Sequence, residues 1–144
     1  MAGIIELADQ HLRGPISWSN NDCCAGACNI FRDIHGVDPM KPLRGRYKTM
    51  GQIRRILWSF GGWVPMTTWL AATSGLVEVL DGGRVGDIAL SREGVGDMPG
   101  EGRMLLISAG GAGWIGKTSH GYAILRQSDL IERCWTCPKP SQVL

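Results

Sequence analysis

The apolar pattern of this chain changes period once, near residue 76. Upstream of that point apolar residues recur every three or four positions, as on one face of a helix. Downstream they fall in short runs bounded by Gly, Asp or Ser, as in strands. Helices first and strands afterwards predict an α+β fold, with N-terminal helices packed on a small, mainly antiparallel sheet. The 144 residues, 44% of them hydrophobic, suffice for one core, so a single domain over 1–144 is expected.

Residues 3–13 form the first predicted helix, with Ile4, Ile5, Ala8 and Leu12 as its stripe and Gly14-Pro15 as its stop. The second runs from Cys23 to Ile34, with Gly36 as C-terminal cap. Asp38-Pro39 and Lys41-Pro42 mark a turn segment. Thr49-x-x-Gln52 fits a capping box for a third helix that carries Met50, Ile53, Leu57 and Phe60 and ends at Gly61-Gly62. Pro65 suits the first turn of a fourth, with Met66, Trp69, Leu70 and Thr73, closed by Gly75. Strands are predicted at Leu76–Val79, Asp87–Leu90, Met104–Ser108, Trp114–Gly116, Tyr122–Leu125 and Leu130–Trp135. Ser91–Gly102 reads as a mobile loop and Pro138–Leu144 as an irregular tail.

The chemistry concentrates at Asp22-Cys23-Cys24-Ala25-Gly26-Ala27-Cys28. Cys24, Ala27, Cys28, Phe31 and Ile34 share one helical face, and Cys23 falls at the first turn, just off it. Unpaired N–H groups and the helix dipole favour a thiolate there. The alternative is a small half-buried cysteine behind a capping aspartate.

A net charge of +2 is too small for a broad nucleic-acid footprint. Arg44-Gly45-Arg46-Tyr47-Lys48 and Arg54-Arg55 read as solvated basic faces, and His11 and His35 as surface residues. Glu6, Asp9 and His11 stand where a signal peptide would need an apolar core, and no stretch approaches the roughly 20 apolar residues of a membrane span. A soluble chain made in a cytosol is expected, where five cysteines argue for free thiols, a metal or catalysis rather than disulfides.

A helix-opening cysteine ahead of a small antiparallel sheet resembles the papain-like cysteine peptidases, and here the NlpC-type family of bacteria and phages that cuts the peptide stems of peptidoglycan. Asp22-Cys23, Gly86-Asp87-Ile88-Ala89-Leu90 and His120-Gly121-Tyr122-Ala123-Ile124 carry that likeness. Asn21-Asp22-Cys23-Cys24, Gly36-Val37-Asp38-Pro39, Leu43-Arg44-Gly45-Arg46-Tyr47, Gly61-Gly62, Gly86-Asp87-Ile88 and Gly121…Cys134-Trp135 resemble small tail-cluster proteins of long-tailed phages. The resemblance implies Cys23 as nucleophile and His120 as general base. It also puts Glu132 where a third polar residue would orient the imidazole, although Glu132 reads equally as a solvated strand residue. By strict strand order Arg103 stands where the family has its histidine, and a guanidinium does not act as a base. Either Met104–Ser108 and Trp114–Gly116 are an insertion, or the catalytic pair has been lost.

Two other constellations compete. Gly111-Ala112-Gly113-Trp114-Ile115-Gly116-Lys117-Thr118 satisfies G-x-x-x-x-G-K-T, but Ser119–Ile124 reads as turn then strand, not as the helix a phosphate loop needs. Cys24, Cys28, Cys134 and Cys137 could hold zinc or an iron–sulfur cluster if the last strand ends beside the second helix. The expectation is therefore a virion protein of the phage tail tip, assembled in the bacterial cytoplasm, with other tail-tip or hub proteins and peptidoglycan as partners. Neither cofactor nor metal is expected. Its function is peptidoglycan cleavage by Cys23, or a catalytically inactive structural adaptor in which six tryptophans and the Ser91–Gly102 loop are interface material.

Overall fold

Residues 3–80, 83–96, 101–126 and 128–138 are described by the computed structural model. They form helices α1 (Ile4–Leu12), α2 (Ala25–His35), α3 (Met50–Phe60) and α4 (Trp63–Thr73). Strands β1 (Val77–Val79), β2 (Ile88–Ser91), β3 (Leu105–Ser108), β4 (Trp114–Lys117), β5 (Tyr122–Leu125) and β6 (Ile131–Thr136) follow. The predicted α+β class holds, and the predicted elements fall within a few residues of those observed. Short 3-10 turns at Lys41–Leu43, Gly110–Ala112 and Ser128–Leu130 were invisible to periodicity because each holds only one turn.

The helix ends have local causes. Gly36 takes φ 73° and returns its N–H to Arg32 O at 2.7 Å, closing α2 in the left-handed conformation that glycine adopts without penalty. The Thr49 hydroxyl accepts the N–H of Gln52 at 3.2 Å, while Gln52 Oε1 accepts that of Lys48 at 2.6 Å. This is a capping box whose return bond lands one residue early.

All strand pairs are antiparallel, in the order β1-β6-β2-β3-β4-β5. Cys28 of α2, Leu70 and Ala71 of α4, and Ile88, Leu105 and Trp135 of the sheet line one cavity of about 20 Å³. Both helices therefore meet the same face of the sheet, and the core lies between them. The direction of α2 follows from its last residue. His35 Nε2 lies 3.0 Å from Gly86 O, just ahead of β2. At the other end Asn21, just ahead of α2, donates through Nδ2 to Arg13 O at 2.9 Å, and Lys117 donates to the Gly14 carbonyl, which brings the start of α2 near the end of β4 and the β4–β5 turn.

Part of the Ser91–Gly102 segment is better ordered by hydrogen bonding than a loop expectation implies. Ser91 belongs to β2, Gly94 N reaches Glu101 O at 2.9 Å and Gly96 N reaches Gly102 O at 2.7 Å. Residues 97–100, and all but Pro138 of the predicted tail, lie outside the described residues.

Candidate functional site

Asp22 organises the start of α2. Its Oδ1 accepts the N–H groups of Cys24 at 2.9 Å and Ala25 at 2.8 Å, which a helix start otherwise leaves unpaired. Its carbonyl takes the N–H of Gly26 at 2.9 Å, so helical hydrogen bonding begins ahead of the regular helix. Its Oδ2 accepts from Ser19 N at 2.7 Å and from the Tyr47 hydroxyl at 2.6 Å. Four donors thus converge on a carboxylate that is 1% exposed, which offsets the cost of burying its charge. Burial, with Cys24 and Asp22 adding to it, pushes the Tyr47 phenol up and keeps its proton in place.

The three sequence motifs around this point are one polar network. Ser19, at φ 70°, is the only non-glycine residue with positive φ among those described. Its hydroxyl accepts the N–H of Gly45 at 2.6 Å, so the turn before α2 is tied to the Arg44–Lys48 segment. Asp38 grips the same segment: Arg44 Nε donates to Oδ2 at 2.6 Å and Nη2 to Oδ1 at 3.0 Å, a two-pronged pair. Arg44 and Tyr47 are therefore structural, which corrects the solvated-face expectation, whereas Arg46 and Lys48 are exposed. Sequence reading missed these partners because nothing in spacing links Asp22 to a tyrosine 25 positions later. The two surface histidines are also corrected. His11 Nε2 meets Asp33 Oδ2 at 2.6 Å across α1 and α2, and His35 contacts Phe31 with ring centroids 4.3 Å apart.

Cys23 occupies the first turn as its spacing implies, but it is 3% exposed. Its Sγ lies 3.8 Å from that of the adjacent Cys24. The Cys23 hydrogen bond, then burial, raise the Cys24 thiol well above its ordinary value. His120 lies in the turn between β4 and β5, at the same end of the sheet as Cys23. It is exposed and makes no side-chain hydrogen bond among the described residues. Glu132 is not brought to His120. It stands on β6, four strand positions from β5, about 19 Å at the usual strand spacing. Its partner is Arg103, whose Nη1 donates to Glu132 at 3.2 Å and to Ser91 O at 3.1 Å, while Nε donates to Glu101 at 2.7 Å. Burial works against the charge of Arg103, but the Glu101 and Glu132 carboxylates outweigh it and raise its pKa. The position that strict strand order gives to a histidine thus holds a buried cation clamp, and a triad of Cys23, His120 and Glu132 is not assembled.

The phosphate-loop reading is overturned in the same region. Trp114–Lys117 is a strand, and a turn and then β5 stand directly after it, where a phosphate loop would need a helix. Lys117 is buried and donates to the carbonyls of Gly14 and Gly121, so its amine is turned onto backbone and lowered in pKa by burial. The four-sulfur reading fares no better. Cys24 adjoins Cys23, Cys28 lines the apolar cavity, and Cys134 pairs with Ala89 and Val79 in the sheet. Among the described residues no three metal-binding side chains converge. All five thiols are free and buried. Burial pushes Cys28 up strongly and Cys134 up to about 12.

These features define a small α+β domain whose central helix is capped by a buried aspartate–tyrosine pair beside two adjacent buried thiols. The chain belongs to the family described as a domain of unknown function (DUF6950), whose model matches residues 3–137. No curated protein and no solved structure matches it.

Proposed function

We propose that this chain is a tail-tip component of a long-tailed phage, built on a divergent NlpC-type, papain-like plan and acting as a non-catalytic adaptor between other tail-tip and hub proteins. The plan is supported by a helix opening with Asp22-Cys23 that crosses β2, β3 and β4, with Gly86-Asp87 leading into β2. The observation that carries the adaptor reading is the separation of the expected catalytic groups: Cys23 buried, His120 exposed in a turn, Glu132 held by Arg103. A thiol without a contacting base and closed to solvent has neither the proton acceptor nor the access that acyl transfer needs. Exposed Trp58 and Trp69 supply apolar surface of the kind that interfaces use, whereas Trp63, Trp114 and Trp135 are core.

Digestion of purified peptidoglycan tests the reading. Wild type and Cys23→Ala should both release nothing, and the chain should be found cross-linked to hub proteins in the particle. Muropeptide release by wild type that Cys23→Ala abolishes would return the peptidase reading and remove this one.

A further inference from the structure

The sheet ends in two edge strands, β1 and β5, and neither has a further strand beside it among the described residues. An open edge offers unpaired N–H and C=O groups to any extended chain that meets it. Which residues offer them follows from the alternation of antiparallel hydrogen bonds. Ala109 N donates to Gly113 O at 2.7 Å, so Gly113, Ile115 and Lys117 bond towards β3. Thr118 N donates to Gly121 O at 2.9 Å, so Gly121, Ala123 and Leu125 bond towards β4. The backbone groups of Tyr122 and Ile124 are therefore turned outward, and Arg126 continues the series. None of these outward groups meets a partner among the described residues.

The two edges differ in how they are guarded. The same alternation, followed from the bond of Ser91 N to Met104 O across β2 and β6, turns Glu78 outward on β1. That strand has only 3 residues, and a second β1 laid against it would set Glu78 opposite its own image. β5 carries neither proline nor charge between Gly121 and Leu125, and its register with β4 is unbroken. Ile124, at the middle of its outward series, is 38% exposed.

We infer that β5 pairs antiparallel with β5 of a second copy of this chain, about a two-fold axis at Ile124. The strand is complementary to itself in that register. Ile124 meets its own image, the small Ala123 lies opposite Leu125, and Tyr122 lies opposite Arg126. Tyr122, Ile124 and Arg126 share one face, the one on which the Tyr122 hydroxyl donates to Asp9 Oδ1 at 2.7 Å. Arg126 is exposed and meets no carboxylate of its own chain among the described residues. Pairing brings it to the tyrosine ring and the Asp9 carboxylate of the other copy. Asp9 has only a long contact of 3.4 Å with Arg13, so it can take this second cation. The dimer closes on itself and leaves no open β5 edge. It stands apart from the adaptor reading, because the pairing needs no other protein.

Sedimentation equilibrium of the full chain, with amide exchange read by NMR, tests the pairing. The mass should rise to twice that of the monomer with concentration, and the Tyr122 and Ile124 amides should exchange slowly only in the dimer. Ile124→Lys puts like charges on the axis and should leave a monomer. Arg126→Glu, at an exposed position beyond the strand, should weaken the dimer about tenfold and keeps the test alive should Ile124→Lys not fold. Glu78→Gln, at the other edge, should change nothing. A chain that stays monomeric at about 1 mM, a dimer that Arg126→Glu leaves as tight as wild type, or slow exchange at Glu78 in place of Ile124 would overturn the inference. A dimer protected at Ile124 in a chain absent from the phage particle would uphold the edge and sink the adaptor reading alone.

Discussion

Tyr47 donates its phenolic hydrogen to Oδ2 of Asp22 at 2.6 Å, although 25 positions separate them. The aspartate thereby joins the start of a core helix to a loop that spacing gives no reason to place beside it. Tyr47→Phe should cost about 1.5–3 kcal/mol, the range for a hydrogen bond to a charged group. Asp22→Asn should cost at least as much, since its amide nitrogen would present hydrogens where two donors already point. Urea unfolding with an unchanged slope measures both, and a Tyr47→Phe variant as stable as wild type would refute the clamp.

Arg103 gives a second contrast. Glu132→Gln keeps an acceptor for the guanidinium and should cost under about 1 kcal/mol, because this side of the pair is partly exposed. Arg103→Met strands Glu101 and Glu132 around a buried position and should cost about 1–3 kcal/mol. Thermal melts of the two variants decide it. A larger loss in Glu132→Gln than in Arg103→Met would show that Glu132 does something the ion pair does not.

Alkali should weaken the fold. Cys24 is raised chiefly by its Cys23 hydrogen bond, Cys28 and Cys134 chiefly by burial. Unfolded thiols ionise near about 8.5, so above that pH the unfolded chain holds fewer protons than the native one and stability falls. The stabilisation is complete below about pH 8.5 and, for Cys134, drains as pH climbs to about 12. Tyr47, also raised by burial, adds its own loss above about pH 10. The melting temperature should fall steadily from pH 8 to pH 11, measured with a reductant present. A flat profile would mean that these groups are more solvated than their burial implies.

Gly26 should behave against helix propensity. In most helix interiors Gly→Ala stabilises by roughly 0.5–1 kcal/mol. Here an added Cβ would meet Leu12 Cδ2 at 2.5 Å and Asn21 Oδ1 at 3.3 Å, because α1 crosses α2 at this point. Gly26→Ala should therefore destabilise by about 1–3 kcal/mol. Leu12→Ala in the same chain should restore part of that loss, as a double-mutant cycle would show.

Most of the secondary structure was legible because each element carries its own punctuation: Gly36 and Gly61 close helices, Thr49 opens one, and every strand is flanked by turn residues. The capping role of Asp22 was legible for the same reason, being a contact within three residues. What spacing could not give is pairing at a distance. The sheet order separates Glu132 from His120 although chain order sets them close, because β6 returns across the sheet to lie between β1 and β2. Arg44, Tyr47 and Lys117 read as surface or phosphate-binding residues for want of any signal that Asp38, Asp22 and the Gly14 carbonyl would meet them.

The first helix and the β4–β5 hairpin are fastened twice, by Tyr122 to Asp9 at 2.7 Å and by Lys117 to the Gly14 carbonyl. These partners stand 113 and 103 positions apart. Helix α1 can meet α2 through His11 and Asp33 early, but these two ties form only after β4 and β5 have been made. Contacts of such span slow folding, and a fragment that stops before β4 lacks both ties.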